Sequence, residues 1–81
     1  MPAKTLYIVQ QFEKQGRKLV AGRQMPFNNS GEAIGRAERD AGRVAGVVAV
    51  QQTVDDETGE VLEEPVILAR HGELPAEFAG D

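Results

Sequence analysis

Cysteine and tryptophan are absent from this 81-residue chain, aromatics make up 5% of it, and histidine occurs once. Each shortage removes a class of explanation. Without cysteine there is no disulfide framework and no thiolate-based metal or redox centre. The longest apolar run is far too short to cross a bilayer, and no charged-then-apolar leader is recognisable. The expectation is a soluble, cytoplasmic protein. Ser30 is the one serine and His71 the one histidine, so the nucleophile–base pairs of covalent catalysis lack their parts. Neither enzymatic activity nor a cofactor is expected. A chain this short supports one small domain, burying roughly 60% of its unfolded surface.

The residues that are present are patterned. Residues 4–13 alternate as a strand, with Leu6, Ile8, Gln10 and Phe12 on one face and Tyr7, Val9, Gln11 and Glu13 on the other. Residues 14–17 read as a hairpin tip in which Gly16 takes a positive φ. A second strand follows from Lys18 to about Phe27, with Leu19, Ala21, Arg23 and Met25 sharing a face and Pro26 placed at an end or an edge. Asn29 with Glu32 three residues on forms a capping box, predicting a helix to about Ala41 with Gly42 as its C′ residue. The helix stripe is narrow and small-sided: Ser30, Ala33, Ile34, Ala37 and Ala41. Such a helix is expected to lie tightly on a sheet.

The β-branched stretch 44–54 predicts a third strand. Residues 55–59 predict a hairpin loop closed by Gly59, and a fourth strand runs from Glu60 to about Arg70, interrupted by Pro65. The order ββαββ implies an α+β fold: a four-stranded antiparallel sheet with one helix on one face. The strand order 2-1-3-4 is preferred over 1-2-3-4, which would place a parallel pair in the middle. Residues 1–72 are expected to form the domain and 73–81 a flexible tail. The resemblance between residues 8–11 and 49–52 is read as chance rather than as a duplicated hairpin.

No site of chemistry emerges. His71 has only Glu73 beside it as a possible orienting carboxylate, and reads as a surface residue. The acidic run Asp55, Asp56, Glu57, Glu60, Glu63 and Glu64 lacks the alternating ligand pattern of a calcium loop, and reads as a solvated tip without metal. The glycines build no phosphate cradle.

Charge is more telling. Net charge is −4, but residues 1–54 hold eight cations against four carboxylates and residues 55–81 one against nine. Lys14, Arg17 and Lys18 at the first hairpin, with Arg36, Arg39 and Arg43 on the helix, form a candidate nucleic-acid contact. The competing reading pairs these arginines with Glu32 and Asp40 on a solvated helix face.

The principal expectation concerns the two faces of the sheet. The helix is expected to cover Leu6, Ile8, Phe12, Leu19, Met25, Val48, Val50 and Ile67. That leaves Tyr7, Val9, Val20, Val47, Ala49, Leu62, Val66 and Leu68 on an apolar face with no cover, where an exposed sheet face is usually polar. Such a patch predicts a binding or assembly module, self-associating as a homodimer with the oppositely charged hairpin tips meeting, or engaging another protein. The alternative cover is the chain's own tail, through Leu74 and Phe78.

Overall fold

The computed structural model describes residues 3–79. Its elements run β1 (Ala3–Gln15), β2 (Lys18–Phe27), α1 (Ser30–Asp40), β3 (Gly46–Asp55), β4 (Val66–Gly72) and α2 (Ala76–Ala79). The four strands form one antiparallel sheet in the order β2-β1-β3-β4, with α1 packed on it. This is the ββαββ α+β architecture and the strand order the sequence predicts.

Local chemistry explains the boundaries. Gln15 pairs with Lys18 across a two-residue turn that opens on Gly16 at φ 63°, the only positive φ in that turn, as a II′ hairpin requires. At the start of α1 the Asn29 Oδ1 accepts from the Glu32 backbone amide at 2.8 Å, while the Asn29 side-chain Nδ2 donates to the Glu32 carboxylate at 3.1 Å. The cap is thus reciprocal between the two predicted residues. The helix C-terminus differs from expectation: Gly42 does not adopt a positive φ. The chain turns instead because the Asp40 carbonyl accepts from the Arg43 and Val44 amides at 2.8 and 3.3 Å.

The β3–β4 loop closes through Asp55 N to Glu60 O and Gly59 N to Asp55 O, both 2.8 Å, with Gly59 at φ 77°. Pairing continues only to the isolated Val54–Val61 bridge, and β4 proper begins after Pro65. The predicted interruption at Pro65 therefore divides the hairpin into a short acidic tip and a separate edge strand.

Two small cores form, and their assignment reverses the expected one. Beneath α1 lie Val9, Met25, Val47 and Ala49, packed against Ala33 and Ala37 of the helix, with Tyr7, Phe27, Leu68 and Ala69 at the margin. On the opposite face Phe12, Val48 and Val50 are covered by Ile8, Leu19, Leu74 and Phe78. The Phe12 and Phe78 rings sit 5.8 Å apart, tilted at 47°. Leu74 and Phe78, within the segment 73–81 expected as a flexible tail, pack on this face of the sheet; the last two residues of that segment lie outside the described residues. Met25 is the exception, lying beneath α1 as expected, and the cause is in β2. Register shifts between Gln10 and Phe12, so Leu19 and Met25, of equal parity in sequence, lie on opposite faces. The Gln10 amide stabilises this bulge by donating to the Gly22 carbonyl at 3.1 Å.

One buried polar group completes the helix side. Asp40 is 3% exposed and accepts from Gln11 Nε2 at 2.7 Å and from Arg36 Nε at 2.9 Å. Burial pushes its carboxyl up, but hydrogen bonds from Arg36 and Gln11 and the charges of Arg36 and Arg43 outweigh that, holding it below its ordinary value of 3.8. A carboxyl lowered in the folded state stabilises the fold above pH 3.8, and that contribution is lost as pH falls through the folded value. Asp40→Asn is therefore expected to cost about 1–2 kcal/mol at neutral pH, and to flatten the loss of stability on acidification. Urea titrations at neutral and acidic pH check this; a variant as stable as the parent at pH 7 would show the pair to be inert.

Candidate interaction surface

Of the eight residues expected on an uncovered face, six are not freely available. Val9, Val47 and Ala49 are fully buried beneath α1, and Tyr7 and Leu68 pack against the same cluster. Val20 is half-buried opposite Glu13. The expected interface across the sheet face is corrected accordingly: that face is the one the helix covers, because Ala33 and Ala37 admit the helix close to Val9, Val47 and Ala49.

Leu62 and Val66 remain exposed, at 46% and 52%, and the structure adds Val61 and Ile67 at 50% and 37%. These four lie along the second half of the β3–β4 hairpin. β4 is an outer strand, and among the described residues nothing pairs with its free side. Val66 lies opposite Gln51 and Ile67 opposite Val50, so their side chains leave the sheet on different faces. Neither α1 nor the segment carrying Leu74 and Phe78 shields them. Val61 and Ile67 are the residues sequence reasoning missed; for Ile67, expected in the covered core, its place two residues after Pro65 on a predicted edge strand was the available signal.

The register also sorts the charges. Gln15 pairs with Lys18 at one end of the sheet, where Phe12, Gly46 and Gly72 align, whereas Ala3 pairs with Asp55 at the other. The 13 residues of β1 span about 43 Å, matching the 44 Å long dimension of the molecule. Lys14, Arg17 and Lys18 thus stand at one extremity and Asp56, Glu57 and Glu60 at the other. Of the six candidate phosphate contacts, Lys14 is bound by both Glu73 carboxylate oxygens at 2.9 and 3.0 Å, and Arg36 by Asp40. The first pair is exposed on both sides and adds at most about 1 kcal/mol. Arg17, Lys18, Arg39 and Arg43 make no ion pair among the described residues.

The remaining candidates are placed as follows. His71 lies opposite Val47, and its Nε2 is buried without a hydrogen-bond partner among the described residues. Glu73, the carboxylate that would orient it, is held by Lys14 instead. Asp55 is 2% exposed and its Oδ1 accepts from the Glu57 and Thr58 amides at 2.8 and 3.1 Å, so its carboxylate serves the turn. No group of three potential metal ligands occurs among the described residues, and no helix among them is long and apolar enough to cross a membrane. An open pocket of about 370 Å3 beside the start of α1 is lined by Lys4, Phe27, Asn28 and Glu32 among others. Compared with known protein families, curated proteins and solved structures, the chain matches none.

Proposed function

We propose that the protein is a non-enzymatic binding and assembly module that self-associates through the β4 edge, with its exposed apolar residues Val66 and Ile67, and the exposed Val61 and Leu62 that precede it. The observation that carries this reading is the exposure of Val66 and Ile67 on both faces of one outer strand. An exposed apolar edge strand is a template for pairing. The cysteine-free composition accords with work in the reducing cytoplasm.

The test is sedimentation velocity across a concentration series from micromolar to hundreds of micromolar. The parent is expected to sediment faster as concentration rises, and Val66→Glu to remain monomeric throughout with an unchanged far-UV spectrum. A parent that stays monomeric over the whole series overturns the reading. The nucleic-acid alternative rests on Arg17, Lys18, Arg39 and Arg43, the four of its six candidate cations with no ion pair among the described residues. Phosphate contacts strengthen as salt falls, so an absence of oligonucleotide binding at low salt removes it.

A further inference from the structure

The exposed apolar residues define the shape of their occupant. A partner laid on one face of the sheet would shield Val66 or Ile67 but not both, because they point to opposite faces. A strand added along β4 shields both at once, and its main chain meets the unpaired side of the ladder. The occupant is therefore an extended segment. Which segment follows from charge.

Resting on the self-association reading above, we propose that the occupant is β4 of a second copy, paired antiparallel about a two-fold axis near Ile67, so that two four-stranded sheets become one of eight strands. The chain's own charge order supports this arrangement. β4 runs from the acidic end of the sheet, immediately after Glu63 and Glu64, toward the cationic end, and carries Arg70 near its finish. Antiparallel pairing sets Glu63 and Glu64 of each copy beside Arg70 of the other, and keeps the two acidic loops at opposite ends of the joint sheet. A face-to-face stacking with the strands of the two copies parallel would instead bring Glu57, Glu60, Glu63 and Glu64 of both copies together. Pro65 and the register shift between Ala49 and Val50 are the features that normally blunt an edge. Here they confine pairing to the few residues that follow Pro65.

The two arrangements respond to salt with opposite sign. Screening weakens attraction between unlike ends and relieves repulsion between like ones. The dimer is therefore expected to loosen as sodium chloride rises from roughly 20 to roughly 300 mM, a range over which the Debye length falls severalfold. Arg70→Glu, which sets acid against acid at two places, is expected to raise the dissociation constant roughly tenfold. The triple variant Glu63→Lys, Glu64→Lys, Arg70→Glu restores the pairing with its signs exchanged, and is expected to return to within about threefold of the parent. All are read by sedimentation with a circular dichroism control. Association that strengthens with salt and ignores Arg70→Glu overturns the antiparallel edge while leaving self-association standing. A parent that is monomeric at every concentration overturns both, and assigns the edge to a different chain.

Discussion

Gly46→Ala is expected to lower the melting temperature by roughly 12–24 °C, the equivalent of about 3 kcal/mol in a domain of this size. Gly46 lies directly opposite Gly72 where β3 and β4 meet, and the chain leaving Gly72 passes over it. A Cβ at Gly46 would collide with the Glu73 carbonyl oxygen and stand 2.7 Å from its carbonyl carbon. Both are backbone atoms, so no side chain can swing aside. Relief requires lifting residue 73 away from the sheet, which breaks the Glu73 N to Ala45 O bond of 2.9 Å and withdraws Leu74 and Phe78 from the second core. Gly72 is locked from the other direction by a φ of 74° and by the Ala45 carbonyl. Gly35 is the matched control. It lies within α1, and a methyl group added there would meet nothing within 4 Å, so Gly35→Ala should stabilise by about 0.5–1 kcal/mol. Thermal melts of the two variants decide the matter; a Gly46→Ala protein melting within a few degrees of the parent would refute the close approach.

Val47→Glu is expected to unfold the protein outright. The side chain has no exposed surface and sits under Ala33 and Ala37 with Gln11 and His71 as its ladder neighbours. A carboxylate there would lose its hydration, and Arg36 on the covering helix is already bound to Asp40. Burial of such a group without a partner costs about 4 kcal/mol or more, comparable to the whole stability of a small domain. The informative contrast is with Val66→Glu, where half the side chain already faces water and only association should suffer. Circular dichroism separates the two: Val47→Glu loses its folded spectrum, Val66→Glu keeps it. A folded Val47→Glu would return Val47 to the surface, where the sequence alone placed it.

That misplacement shows what the sequence could and could not disclose. Element order, the Gly16 and Gly59 turns and the Asn29–Glu32 cap were legible because each depends on residues adjacent in the chain. The identity of the covered face was not. Alternation divides a strand into two sets without saying which set meets the helix, and β3 does not alternate at all: Val47, Val48, Ala49 and Val50 are all buried. The β2 bulge then carried Met25 to the side opposite Leu19, so counting by twos from either residue misleads. Leu74 and Phe78 were legible as an alternative cover for the sheet face left by the helix; what the sequence did not disclose is that this face carries Phe12, Val48 and Val50. Leu62 and Val66 were correctly placed in the open, but for a reason the sequence did not supply, namely that helix and C-terminal segment both stop short of the β4 edge.

The burial of β3 on both sides has a thermodynamic corollary. Successive residues of this one strand belong alternately to the helix-side core and to the core closed by Phe78, so the two cores share a wall. Undocking the helix strips solvent protection from Val47 and Ala49 and thereby loosens the segment that holds Val48 and Val50; release of the C-terminal segment acts in reverse. The two half-cores are a single cooperative unit, and their free energies of opening are one quantity rather than two.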